Sequence, residues 1–258
     1  HILKIRYWVK DVATGVEGTI TKTLSSATYD QNKYYNITAN LDVKNYDGDH
    51  YYMWDAQEQY WKGHEWNHGG SQPTLNHDLP NTTTSNDYAQ SNTDLRYYHE
   101  GSGSPFNATQ SCATLPNVNE MTWYAAYGEP RWDADELWTT MGHLYKGGMW
   151  LKKKSQISGF KANKAYDGTD WRPYSTGATW SVSQTLPSAA DAGNYFYLPA
   201  LGHYNSGQLN NVGIYGAYWS SSAYPGKRDY AYGIDFNLTR IFVRGQYCLA
   251  GYSIGVFE

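Results

Sequence analysis

The sequence predicts an α+β fold: two helices, short strands and long loops, preceded by a small antiparallel β-sandwich segment. Three observations predict it. Both ends of the chain alternate apolar and polar residues with a period of two, the signature of strands. Two capping boxes sit in the middle, Asn117-x-x-Glu120 and Asp133-x-x-Glu136, each a cap residue followed by Glu at the third helical position. Residues 69–112 are rich in Gly, Ser, Thr, Asn and Pro, which predicts long irregular loops, and loops of that length usually carry function.

The elements follow in order. Ile5, Tyr7 and Val9 alternate with Lys4, Arg6 and Lys10, and Thr14-Gly15 marks a turn into a second, Thr-rich strand over 19–24. A third strand is expected where Ile37, Ala39, Leu41 and Val43 alternate with Asn36, Thr38, Asn40 and Asp42. Three strands alone are marginal. They read as the last strands of a sandwich whose earlier strands precede His1, so residues 1–47 form one segment and 48–258 a second domain, with Asn45-Tyr-Asp-Gly-Asp49 as the boundary turn. The first helix should run from Asn117 to about Tyr127 and stop at Gly128-Glu-Pro130. The second places Leu137, Met141 and Leu144 on one face and stops at Gly147-Gly148. Five short strands close the chain: 195–199, 218–220, 231–236, 241–244 and 252–257.

Composition narrows the function classes. The chain has 258 residues with 24 acidic and 20 basic side chains, and its longest Lys/Arg run is Lys152-Lys153-Lys154, so no nucleic-acid footprint is expected. No apolar run approaches the roughly 18 residues a membrane span needs. Tyrosine dominates: 26 Tyr and 11 Trp stand against 6 Phe and 4 Met, a balance that suits either a binding face or aromatic strands.

His64-Glu-Trp-Asn-His68 is a literal H-E-x-x-H, but zinc chemistry needs both imidazoles on one face of a regular helix. Gly63, Gly69 and Gly70 bracket this stretch and no helical period supports it, so it reads as a decoy. Asp55, Glu58 and Glu65, or Asp133 and Asp135, offer carboxylates for glycosidic chemistry, yet nothing singles out a pair. No nucleophile elbow, phosphate loop or dinucleotide fingerprint appears. No catalytic residue, metal ligand or cofactor is assigned.

The last third is the most specific. Asn211-Val-Gly-Ile-Tyr-Gly-Ala-Tyr-Trp-Ser-Ser-Ser-Ala-Tyr-Pro225 leads into Asp229-Tyr-Ala-Tyr-Gly-Ile-Asp-Phe236, then an x-Ile-x-Val-x strand and Gly251-Tyr-Ser-Ile254. These motifs resemble the terminal segment of C-type-lectin-fold proteins of the formylglycine-generating-enzyme-like type, in particular variable proteins of diversity-generating retroelements in gut Bacteroidetes and their phages. Pro116-Asn-Val-Asn-Glu-Met-Thr-Trp-Tyr124, Leu137-Trp-Thr-Thr140 and Gly147-Gly-Met-Trp150 extend the resemblance over about 50–258, and residues 1–45 resemble a fimbrillin-type sandwich. The resemblance implies a non-catalytic receptor or adhesin with a variable region at about 212–254. It would recognise protein or glycan on another cell or host surface, from an extracellular, cell-surface or phage-particle location. It also admits a Ca²⁺, although no ligand-rich loop stands out. The alternatives are a fimbrial tip or structural subunit, and an enzyme of the formylglycine-generating kind, which needs reactive cysteines close together.

Alternation assigns the faces. Tyr232, Ile234 and Phe236, with Ile241 and Val243, should point into a core. Gly233, Asp235 and Asn237, with Arg240, Phe242 and Arg244, should point out. An outward Arg-Phe-Arg row suits recognition. Ile214, Tyr215 and Ala217 join it before Trp219, as do Arg228, Asp229 and Tyr230 from the following loop, and then Tyr247 and Leu249. If Cys248 is one more variable position, it does not bridge to Cys112.

Overall fold

Asn117 starts α1 (Val118–Tyr127) as its capping box predicts. Its side chain accepts from the Glu120 N–H at 3.2 Å, and Glu120 Oε2 accepts from the Asn117 N–H at 2.9 Å. Val118, Met121, Tyr124 and Ala125 are buried on one side of the helix, and Gly128 closes it by donating its N–H to the Trp123 and Tyr124 carbonyls. The computed structural model describes residues 2–26, 28, 30–36, 41–47, 51–75, 84–101 and 106–258.

The second expected helix is absent, which corrects the α+β class. With 36% of the chain in strands and 8% helical, the fold is β-rich and built from several sheets, with one α-helix among the described residues. Residues 131–152 form a hairpin instead, β5 (Arg131–Thr140) and β6 (His143–Lys152). The Asp133 signal is real but serves a bulge. Its Oδ1 accepts from the N–H groups of Asp135 and Glu136, both at 3.0 Å, where the β5–β6 register shifts between Asp133 and Leu137. Met141 and Gly142, both at positive φ, form the two-residue turn, so the apparent helical spacing of Leu137, Met141 and Leu144 straddles a hairpin.

Two sheets carry the structure. One has four strands in the order β3 (Lys44–Asn45), β5, β6, β8 (Tyr195–Pro199). The other has six, in the order β4 (Tyr51–Tyr52), β14 (Tyr252–Ser253), β11 (Tyr215–Ala223), β12 (Tyr230–Asn237), β13 (Arg240–Tyr247), β7 (Ala178–Ser181). β9 (His203–Asn205) and β10 (Gln208–Asn210) form a separate pair. Between β8 and the inner face of the six-stranded sheet, α1 packs in a core of Met149, Leu151, Phe196, Leu198, Tyr218, Tyr232, Ile234, Phe236, Ile241 and Val243. Fully burying such side chains stabilises by roughly 1.5–3 kcal/mol each.

Much of the tyrosine excess is core. Tyr204 stacks on Tyr60 with ring centroids 5.2 Å apart and meets Tyr51 edge-on at 4.9 Å. Buried hydroxyls find carbonyls: Tyr51 donates to Leu201 O at 2.5 Å, Tyr204 to Pro73 O at 2.8 Å and Tyr218 to Pro199 O at 2.6 Å.

Residues 4–23 form the hairpin β1 (Lys4–Lys10) and β2 (Glu17–Thr23) in register Tyr7 to Ile20. Its turn docks on β5–β6: Asp11 Oδ2 accepts from the Leu144 N–H at 2.8 Å, and Thr14 Oγ1 donates to Leu144 O at 2.9 Å. Of the third expected strand, Ile37 to Asn40 lie outside the described residues and 41–43 are not strand; β3 is the two-residue pairing that follows. The closing strand is also shorter than expected, ending at Ser253 rather than 257.

Candidate functional site

The hairpin β12–β13 divides its side chains as alternation predicts. Tyr232, Ile234, Phe236, Ile241 and Val243 are all fully buried on the inner face. The outer face is not uniform, because other chain segments cover part of it. Over β14 and β11, residues from the loops at 54 and 106–112 bury Ala217, Trp219 and Tyr252 in an aromatic cluster with Trp54, Phe106 and both cysteines. Towards β13 and β7 the face opens, and Arg240, Phe242, Arg244, Thr179 and Ser181 reach the surface.

At the border of covered and open sheet sits Asp235, fully buried although the sequence places it on the outward row. Arg244 grips it with two bonds, Nε to Oδ1 at 3.0 Å and Nη2 to Oδ2 at 2.7 Å. Gln246 Nε2 donates to Oδ1 at 2.6 Å, Tyr215 OH donates to Oδ2 at 2.8 Å, and Tyr252 OH donates to Gln246 Oε1 at 3.0 Å. Burial pushes the Asp235 carboxyl up from its ordinary range while Arg244, Tyr215 and Gln246 pull it down. Arg244 is in turn held charged by that carboxylate, and a bidentate, fully donated carboxylate is the ionised state this geometry fits. The guanidinium also lies 4.5 Å from the centroid of the Phe242 ring. Opposite it, Gly177 leaves room: a Cβ there would stand 3.1 Å from the Arg244 Cβ.

The other nominated residues separate into exposed and structural. Ile214 is 62% exposed on the turn before β11. Arg228 is exposed on the turn between β11 and β12, and Arg240 is exposed at the start of β13. Tyr230 and Tyr247 pair edge-on at 5.6 Å, with Lys227 Nζ 4.4 Å from the Tyr230 ring centroid. Asp229, partly buried, accepts the Cys248 N–H on its carbonyl at 2.9 Å. Three outward assignments prove to be packed positions: Ala217 lies under the aromatic cluster, Asp235 under Arg244, and Gly233 where a Cβ would meet Tyr218 O at 2.9 Å. Asn237 is a turn residue, its Oδ1 accepting from the Thr239 and Arg240 N–H groups at 2.9 and 3.0 Å. Leu249 is partly buried against the Tyr51–Tyr204 cluster.

Sequence reasoning missed Gln246, which continues the row of Arg240, Phe242 and Arg244 at the same two-residue spacing and was therefore findable. It also missed His203, whose ring sits edge-on to Tyr215 and Tyr252 at 5.4 and 5.8 Å and whose burial pushes its pKa down. No local pattern announces that contact. Beyond the hairpin, a pocket of about 390 Å³ is lined by Gln57, Asn92, Asp94, Tyr97, Tyr98 and Glu100 among others.

The two cysteines are both free and buried in one cluster. Burial pushes the Cys112 thiol up to about 12 and Cys248 up as well, which leaves both as thiols at neutral pH. His64 and Glu65 are irregular and lead into a 3-10 turn at Trp66–His68, with Glu65 buried and bonded to Gln59 Nε2 at 3.0 Å. Among the described residues no group of three or more His, Cys, Asp or Glu side chains is placed to hold a metal ion, and no helix is long and apolar enough to cross a membrane. Comparison with protein-family models, with curated proteins and with solved structures gives no match for this chain.

Proposed function

We propose that this protein is a non-catalytic recognition protein whose contact surface is the open outer face of β13 with the flanking turns at Ile214 and Arg228. The observation that carries the reading is the division of the hairpin. Every inward side chain from Tyr232 to Val243 belongs to the core, whereas the exposed Arg240 and Arg244 and the partly exposed Phe242 stand outward as a cation–aromatic row outside that core. Aromatic and Arg side chains are those that dominate binding hot spots. The Arg244–Asp235 grip supports the reading further, because a guanidinium already fixed in place loses less freedom when a partner docks.

The resemblance of residues 211–254 to retroelement-diversified proteins fits this division. In such a system side chains at exposed positions change while buried ones persist, and the ligand would be a protein or glycan on another cell or host surface. An extracellular, cell-surface or phage-particle setting follows from the same reading. The coupled trio Tyr215, Asp235 and Arg244 refines it: these positions change together or not at all. The test is nucleotide sequencing of the genomic neighbourhood. A near-copy of the codons for 210–258, differing almost only at adenines and lying beside a reverse-transcriptase gene, is the expected result. A neighbourhood without such a copy would reduce the surface to a fixed one.

A further inference from the structure

The chemistry of the open face narrows its partner. Four of the arginines, Arg96, Arg131, Arg172 and Arg244, pair with carboxylates, whereas Arg6, Arg228 and Arg240 have no such partner among the described residues. Two of those three lie at the two ends of the β12–β13 hairpin, Arg228 on the turn before β12 and Arg240 at the start of β13, in a chain whose formal charge is -4. Arg244 adds to them. Its side chain is 47% exposed, and its bonds to Asp235 use Nε and Nη2, so Nη1 lies outside that grip. Asp235 has no free oxygen to offer a ligand, because Arg244, Gln246 and Tyr215 occupy both its oxygens and it is fully buried.

Arg240, Phe242 and Arg244 follow one another at every second residue of β13, so the two guanidinium-bearing positions lie about 13–14 Å apart along the strand with the ring between them. Beside them run Ser181 and Thr179 of β7, paired with Arg240 and Phe242 respectively. Both hydroxyl residues are exposed and carry no charge.

We infer that this face binds an extended acidic polypeptide segment, with carboxylates four residues apart meeting Arg240 and Arg244 and an apolar side chain between them meeting Phe242. The inference rests on the recognition reading above. It favours a polypeptide over an anionic glycan because an extended chain repeats with the same two-residue period as β13, and a carboxylate offers two oxygens to a guanidinium fork.

The experiment is selection from a random-peptide phage library on the immobilised full chain, with counter-selection on Arg240→Ala and on Phe242→Ala. Both residues are outside the core, so the variants are expected to fold. The expected enriched sequences carry Asp or Glu at i and i+4 and an apolar residue at i+2. A synthetic peptide of that consensus should bind about tenfold more weakly to Arg240→Ala, and more weakly still as NaCl rises from about 0.05 to about 0.5 M. Enrichment of neutral or basic peptides that Phe242→Ala no longer captures would overturn the acidic partner and keep the recognition surface. Peptides captured equally by both variants would overturn both. A heparin oligosaccharide that binds more tightly than the consensus peptide and is lost with Arg240→Ala would replace the polypeptide with an anionic glycan.

Discussion

Two hairpins in this molecule share one sequence pattern and differ in what covers them. In β1–β2 the row Ile5, Tyr7, Val9 faces Lys22, Ile20 and Gly18, and each of these residues stays partly exposed. In β12–β13 the row Tyr232, Ile234, Phe236 faces Gly245, Val243 and Ile241, and the large side chains are fully buried beneath α1. Alternation therefore specifies that a strand has a wet face and a dry face; it does not specify what dries it. The outer faces teach the same lesson in reverse. Trp8 on β1 is 65% exposed, whereas Trp219 on β11 is fully buried because residues 54 and 106–112 fold over it.

Substitution should separate the hairpins sharply. Ile234→Ala is expected to cost about 2–5 kcal/mol, the range for deleting a buried aliphatic side chain. Tyr7→Ala should cost well under that in the same urea titration. Equal losses would mean that the N-terminal hairpin is buried by a surface yet to be located.

The Asp235–Arg244 pair comes next, and its two halves are unequal. Arg244→Ala leaves a buried carboxylate with only Gln246 and Tyr215, so a loss of about 3 kcal/mol at pH 7 is expected, the lower end of what a stranded buried charge costs. Asp235→Asn strands only a half-exposed guanidinium that can turn to water, and should cost less. The pH dependence has a definite sign. Without Arg244, burial raises the folded-state pKa of Asp235 further above its unfolded value, so the variant is closest to wild type below about pH 4 and falls behind as pH rises through that folded pKa. A deficit constant from pH 4 to 8 would show that Asp235 does not titrate as a stranded buried acid.

A smaller effect is expected at Glu129, which takes no part in the β13 row. Lys152, Arg131 and Tyr195 all bond to it and hold its carboxyl down at about 2. Its folded pKa lies below its unfolded one, so its contribution is present above about pH 4.5 and is lost as pH falls towards 2. The carboxylate is 44% exposed, so screening limits the effect to about 1 kcal/mol or less. Glu129→Gln should flatten the urea midpoint over that window, and an unchanged acid slope would remove the assignment.

Legibility tracked how far each signal reaches along the chain. The caps of α1 were readable because the groups that satisfy them lie within a few residues, and the strand at Tyr195–Pro199 because its own run of apolar and aromatic residues marks it, although its pairing partner β6 is distant. Asp133 shows the limit of the same signal: an Asp accepting two following N–H groups begins a helix or seats a bulge, and only the pairing with β6 decides between them. The inward row of β12–β13 was legible from alternation. The burial of Ala217 was not, because it depends on contacts from residues more than 100 positions away, and that of Asp235 was not, because alternation does not show that Arg244, Gln246 and Tyr215 close over it. Gly233 was readable as outward, but its need for a missing Cβ depends on the β11 carbonyl beside it.

The most direct test of the central claim, that stability and recognition occupy opposite faces of one hairpin, is a saturation-substitution library over residues 214–249. It would be displayed on cells and sorted separately for folded display and for capture of the selected peptide. Arg228, Arg240 and Phe242 should accept nearly all side chains in the folding sort, within about 0.5 kcal/mol of wild type, and lose capture. Tyr232, Ile234, Phe236, Ile241 and Val243 should fail the folding sort, and Tyr215, Asp235 and Arg244 should tolerate change only in combination. Equal intolerance at Arg240, Phe242 and Ile234 in the folding sort would contradict the division of labour.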